Sequence, residues 1–581
     1  MKLTDEQQSL VLDSSNRVVS SCPGSGKTRT VVAKILACVA SVRDTPRRIG
    51  CITYTNAATN EIAGRLLESG STGDEDYCEV NTIHSFCLNN IVRPYGHLIA
   101  ELSSGFEIVA PESTWFEAAS DEVVRHYGLP TWAGERFATI YRRSDGQYVV
   151  PEGLTSGAVT AFAQLALENR LLTFADIVYY ACKIGAAHHY VLRAISSRFA
   201  WLIVDEFQDT TELQVELLAG IHGVGHTKFF LVGDPNQSIF GFAGARPDLM
   251  ATIATTIGAQ DDIGLSANFR CSSSIVKVAE RLCPRVPEMR SVGESKDCRF
   301  TPLHIKAASA EAAILGSFLP EVARLGIPFG KTAILAPWWT SLFSLARILR
   351  GRGIPVLGPG ARPYKRSLDL AQFAESAAAY VCCRDSESAL AAQRALFFLL
   401  LRLNDEPEWR VFSYEGKRLL CAILASADAF RAQGLRAVSW LHKFAQETAT
   451  ILHIEEMISE GGKAAIMESA DLMISGIRKT VSEADAMNIE ELGIFARPLE
   501  CIQLMTMHAA KGREYDAVAV VDFHDDKVPH FSANAAGVAE ARRLTYVAAT
   551  RARKLLMFIS DSSNRRNRPS RFAGAEGMRL P

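Results

Sequence analysis

Four short apolar runs, residues 17–21, 50–53, 201–204 and 229–233, each end in a polar cluster. Runs this short and unbroken read as strands covered on both faces, as in a parallel sheet. Helical patterns at 28–39 and 59–67 follow two of them. This alternation predicts an α/β fold with a doubly wound sheet. Ligands bind such sheets beyond the carboxyl ends of the strands, where the polar clusters lie. Further runs at 333–336, 502–505 and 517–521 predict a second α/β core. Between the cores lie helix-rich stretches without strand signals, 92–172 and about 368–496, which read as insertions. A chain of 581 residues has room for this, at roughly 150 residues per domain.

Bulk composition narrows the function classes. The net charge is −2, which argues against coating nucleic acid by bulk attraction and leaves room for a local groove. The 13 cysteines are scattered without a CxxC pair, and Cys382 and Cys383 are adjacent. They read as reduced, buried small hydrophobes rather than ligands of zinc or an iron–sulfur cluster. No apolar run approaches the ~20 residues of a membrane span, and the first residues show no secretory leader. A cytoplasmic protein is expected.

Two segments carry chemistry. Residues 21–28, SCPGSGKT, follow a strand and open a helix. Backbone amides of Gly24, Ser25 and Gly26, behind Pro23, can wrap a β-phosphate, because glycine tolerates the unusual dihedrals and the close approach. Lys27 supplies charge to the β- and γ-phosphates and Thr28 a hydroxyl to Mg²⁺. The first position is Ser21 where glycine is usual. Residues 201–210, WLIVDEFQDT, are a strand delivering paired carboxylates. Asp205 is placed to hold Mg²⁺ through water, and Glu206 to orient and deprotonate an attacking water.

With VDEFQDT at 204–210, the chain resembles the UvrD/Rep/PcrA group of superfamily 1A DNA helicases. Other segments match that family's motifs in order: LTDEQ at 3–7, TYTN at 53–56, TIHSF at 82–86, VGDPNQSIFGFAGA at 232–245, LSANFR at 265–270, LMTMHAAKGRE at 504–514 and EARRLTYVAATR at 540–551. The resemblance implies two RecA-like parallel-sheet cores of P-loop NTPase type, each with a largely helical insertion. It divides the chain into a first core at 1–91 and 173–264, an insertion at 92–172, a second core at 265–367 and 498–560, and a reduced insertion at 368–497. A flexible basic tail is expected at 561–581.

The same resemblance implies ATP with Mg²⁺ as cofactors. Gln7 would read the adenine edge, Arg29 and Phe269 would sandwich the base, and Glu514 would accept a ribose hydroxyl. Gln237 would join Lys27, Thr28, Asp205 and Glu206 as the first core's catalytic set, and Arg270 and Arg551 would act as arginine fingers from the second. Such fingers are worth ~10³–10⁵ in rate in related NTPases.

A protein moving on single strands needs faces on which bases stack. Tyr54, Phe86, Phe240 and Phe242 stand at matching positions, with His84 and His508 nearby. Asn56, Thr82 and Thr506 are candidate phosphate contacts, with strand-end capping as their alternative. The implied partners are single-stranded and tailed duplex DNA, and the implied activity is ATP-driven 3′→5′ translocation and unwinding. Two departures bear on unwinding: Ala243 stands where the family usually carries arginine, and the second insertion is small. Arg513 is a third departure, standing where an apolar residue is common. The compact second insertion also resembles UvrD-like subunits of Gabija-type antiphage systems. That leaves an alternative, a nucleotide-switched DNA sensor that licenses a partner nuclease.

Overall fold

The computed structural model describes residues 3–70, 73–241, 244–261, 263–298, 300–404, 408–564 and 567–574. Its contacts divide the chain into two compact units, one of residues 1–299 and 532–550, the other of residues 300–531 and 551–581.

The first unit is built on a parallel sheet. Its strands are β1 (Arg17–Ser20), β2 (Arg48–Thr53), β3 (Cys78–Thr82), β4 (Phe199–Val204) and β5 (Lys228–Gly233), in the order β1-β5-β4-β2-β3. The four apolar runs in the sequence correspond to β1, β2, β4 and β5. β3 escaped notice because it lies at the edge, half-buried along its length, with the mixed sequence CEVNT. One sheet face packs Val31, Val32 and Ile35 of the helix Lys27–Val39 on Val19, Ile203 and Phe230. The other packs Ile195, Leu218 and Ile221 on Phe199 and Phe229. Each such side chain contributes roughly 1.5–3 kcal/mol on burial, so both faces hold the strand ends still. The insertion at 92–172 has its own small core around Phe116, Phe137 and Phe162. It also holds two-residue strand pairs, Glu107–Ile108 with Leu171–Leu172 and Tyr141–Arg142 with Tyr148–Val149. Pairs this short leave no period in a sequence.

The second unit carries a larger parallel sheet. Its strands are β6 (Leu303–Ala307), β7 (Thr332–Ala336), β8 (Val356–Leu357), β9 (Ile502–Thr506), β10 (Tyr515–Val520) and β11 (Ala552–Asp561), ordered β6-β11-β10-β7-β9-β8. Five helices between β8 and β9 (Ala371–Cys383, Ser386–Asn404, Tyr414–Ala432, Ala437–Ile454 and Glu460–Thr480) bury a separate core. Trp440 and Phe444 stack at its centre, ring centroids 4.8 Å apart. The expected class holds: mixed α/β, with two parallel sheets and helix-rich insertions. The compact units divide at 299/300, where the sequence reading drew a core boundary at 264/265.

The tail departs from expectation. Residues 567–574 are not loose: Arg571 forms a double ion pair with Asp525 at 2.7 and 3.0 Å, Ser570 N–H donates to the Phe523 carbonyl, and Phe572 is buried. Arg565 and Arg566 lie outside the described residues. All 13 cysteines are free thiols. No helix among the described residues is long and apolar enough to cross a membrane.

Candidate nucleotide site and nucleic-acid track

β1 runs into the loop at 21–26, which opens the helix Lys27–Val39. Ser21 Oγ donates to the Gly233 carbonyl at 3.0 Å, so the serine fastens the loop to β5. Gly24 and Gly26 take left-handed backbone, φ +65° and +77°. A Cβ on Gly24 would also stand 2.6 Å from Arg270 Cβ, so two constraints require glycine there. The amide of Phe269 donates to the Gly24 carbonyl at 2.9 Å, and Gln7 Nε2 donates to the Ser25 carbonyl at 2.9 Å. Gln7, Phe269 and Arg270 are therefore brought to the loop. Arg29 Cβ lies 3.8 Å from the Cβ position of Gly26. Pro23 is buried within the loop, and Thr28 is the second residue of the helix.

The carboxylates stand at the end of β4. Lys27 Nζ donates to Glu206 Oε2 at 2.9 Å. Burial alone would lower the pKa of Lys27, but the charges of Glu206, Asp205 and Asp234 outweigh it and hold the ammonium above its usual value. Burial and the neighbouring Glu206 push Asp205 up to about 7. Glu206 itself has φ +54°, which is unfavourable for a residue with a Cβ and marks strain of the kind kept at functional positions.

A further network was invisible to motif reading. Gln208 Nε2 donates to Glu206 at 2.6 Å, and Gln208 Oε1 accepts from the Asp234 amide at 2.8 Å. Asp234 accepts from Gln237 Nε2 at 2.7 Å and from the Tyr546 hydroxyl at 3.3 Å. Arg543 Nε reaches the Ser238 carbonyl at 2.8 Å, and Arg270 Nη1 the Thr550 carbonyl at 3.3 Å. Helix Ala535–Ala549 thus ties Gln237 and Arg270 to one scaffold. Asp234 and Tyr546 stand within the segments VGDPNQSIFGFAGA at 232–245 and EARRLTYVAATR at 540–551, and that placement was the available signal.

The residues present fit a nucleoside triphosphate. Ser25 Oγ is buried in the loop with no hydrogen-bond partner, a state that costs ~1–3 kcal/mol unless an acceptor arrives. Two left-handed glycines at a helix N-terminus, with Lys27 beside them, favour an anion. Thr28 and Asp205 are oxygen donors of the kind Mg²⁺ takes.

Glu514 and Arg551 belong to the second unit. Arg551 is buried, and its Nη1 donates to the Arg513 carbonyl at 3.1 Å. Glu514 is 3.2 Å from Arg553.

The track candidates divide. Tyr54 and Phe240 stack on each other, centroids 5.7 Å apart and planes within 11°. His84 stands edge-on to Phe174, and burial pushes its pKa down to about 4. Burial also lowers His508. Phe86 must be reassigned: it is 1% exposed and packs on Phe199, so it presents no face to a base and belongs to the core. Thr82 accepts from the Ser85 amide as a helix cap, and Thr506 accepts from the Ala509 amide. Asn56 is exposed at the start of the helix Asn56–Ser69. Phe242 and Ala243 lie outside the described residues.

The UvrD/REP helicase N-terminal domain matches residues 3–133 and 151–257, and the UvrD-like helicase C-terminal domain matches 431–563. A probable DNA helicase II homolog of Mycoplasma pneumoniae is 24% identical, with 94% of this chain and 81% of that protein covered. DNA helicase II of Escherichia coli is 24% identical, with 98% and 87% covered. The ATP-dependent DNA helicase Rep of Escherichia coli is 23% identical, with 98% and 93% covered. The loop at 21–28, the carboxylates ending β4 and Asp234 fall within the N-terminal match, and Arg543 and Tyr546 within the C-terminal one. The two family models together match more than half of the chain, and the chain belongs to the UvrD/Rep helicase family.

Proposed function

We propose that this chain hydrolyses ATP and uses the cycle to move 3′→5′ along single-stranded DNA and part a duplex ahead of it. The observation that carries this is the Lys27–Glu206 contact of 2.9 Å at the mouth of the glycine loop, with Asp205 adjacent. Lys27 is the point charge for the phosphates, and Glu206 orients and deprotonates the attacking water. Mg²⁺, held by Thr28 and Asp205, would neutralise charge on the phosphates. Gln7, Arg29 and Phe269 bind the base, and Glu514 the ribose. Gln237, held by Asp234, acts with Lys27 and Glu206 in hydrolysis, and Arg270 and Arg551 stabilise the charge of the transferred group.

Names of the aligned relatives support DNA as the substrate, and the Tyr54–Phe240 stack supports a single strand read without sequence preference. The test uses purified protein. ATPase activity is expected to rise strongly with single-stranded DNA and to vanish in Lys27→Ala. A duplex with a 3′ tail is expected to open while one with a 5′ tail stays paired. Absence of DNA stimulation would sink the motor, and opening from the 5′ tail would overturn the polarity.

A further inference from the structure

An open cavity of about 400 Å³ lies in the first unit, between the hairpin Tyr141–Arg142/Tyr148–Val149 and the loop after β5. Hairpin and loop touch at Gly244. It has φ +87°, and a Cβ there would stand 2.6 Å from the Tyr141 ring. Three arginines, Arg142, Arg143 and Arg246, line the cavity, and Glu212 is the acid among its lining residues. At ~30 Å³ per water the space exceeds ten waters, enough for a tetrahedral anion and part of its hydration shell.

Arg142 is built in. Its guanidinium lies 4.3 Å from the Tyr148 ring and 4.2 Å from the Tyr179 ring, with Asp176 at 3.5 Å. Nε is buried without a hydrogen-bond partner, and Nη1 is the atom that faces Asp176 Oδ1 at 3.5 Å. Buried donors left unmade cost ~1–3 kcal/mol each, and an incoming anionic acceptor recovers that. Arg143 is exposed and forms no ion pair among the described residues. Arg246 is shared between Glu212 and Asp248. The same loop carries Phe240, stacked on Tyr54.

We propose that this cavity binds a phosphate of the nucleic-acid strand, with Arg143 and Arg246 as its charged contacts and Arg142 as the fixed base of the site. Arg142 and Arg143 thus reach the cavity from the hairpin and Arg246 from the loop after β5. The inference rests on the single-strand reading above and names the place where the backbone is held.

The experiment measures binding of a labelled single-stranded oligodeoxynucleotide to the whole chain across a salt series. For Arg143→Gln, the slope of log K against log salt is expected to shrink by about 0.7, the value of one phosphate contact on a single strand. Glu212→Gln, which removes the acid from the wall, is expected to tighten binding, a gain that a misfolded protein cannot give. Unchanged slope and affinity in both variants would overturn the proposal. So would competition by inorganic phosphate that Arg143→Gln abolishes while DNA binding stays intact, since the site would then serve a free anion. A wild-type chain that binds no single strand would remove the track reading itself. A wild-type chain that binds while Arg143→Gln keeps the full slope removes only the cavity.

Discussion

Glu206 meets two requirements that pull apart. It must end a buried strand, and it must turn its carboxylate back to Lys27. The chain satisfies both by placing it at φ +54°. Left-handed backbone costs a residue with a Cβ ~1–2 kcal/mol, and the Lys27 and Gln208 contacts hold it there. The identity of Glu206 was legible in VDEFQDT, because paired carboxylates after an apolar strand have few other uses. Its strain was not, since backbone conformation at a strand end depends on what the side chain meets. Phe86 shows the opposite case. Its motif context suggested a base platform, but a ring packed on Phe199 under the sheet is core, and a lone aromatic carries no mark of its depth. Burial also sets an acid limit. His84 and His304 are each pushed down to about 4. In the unfolded chain such rings take up protons near their ordinary value, ~6.5. Stability is thus full above that value and is lost as pH falls through it toward 4. The urea midpoint is expected to drop between neutral pH and about pH 5, and to drop less in His84→Gln. An identical pH profile for that variant would contradict the assignment.

Between elements, the Tyr54–Phe240 stack joins the end of β2 to the loop after β5. Burial raises the Tyr54 hydroxyl to about 12, so the ring stays neutral at any working pH and contributes area rather than charge. Stacking on such a ring is worth ~1–3 kcal/mol per base, or roughly 5- to 150-fold in affinity. Tyr54→Ala is expected to weaken binding of a single strand within that range and to leave the salt slope unaltered, because no phosphate contact is lost. A reduced slope would instead make the residue part of an ionic site. The strands behind this geometry were readable from continuous apolar runs, as in β4 and β5. β11 was not singled out although it is buried almost throughout. Its run of Leu, Leu, Met and Phe suits a helix as well as a strand, and only pairing with β6 and β10 decides it.

At the scale of the whole chain, hydrophobic clustering separates the helical insertion from the sheet it interrupts. Trp440, Phe444 and Phe373 belong to one cluster, and Ile334, Leu504 and Ala519 of the second sheet to another. The sequence predicts a helix-rich stretch at 368–497, because strand signals cease there, but carries no sign that these helices hold a core of their own. A segment with its own core can loosen without taking the nucleotide loop with it, since that loop lies in the other compact unit. Trp440 is wholly buried, and its indole N–H donates to the Ala427 carbonyl at 2.8 Å. Trp440→Ala removes both packing and a buried donor, at a cost of about 3–5 kcal/mol. If the insertion governs duplex opening rather than hydrolysis, the variant keeps its DNA-stimulated ATPase above the melting point of the weakened segment, while strand separation on a 3′-tailed duplex is lost there. Parallel loss of both activities would mean that the insertion and the catalytic unit act as one cooperative body, and the reduced size of residues 368–497 would then bear on stability alone.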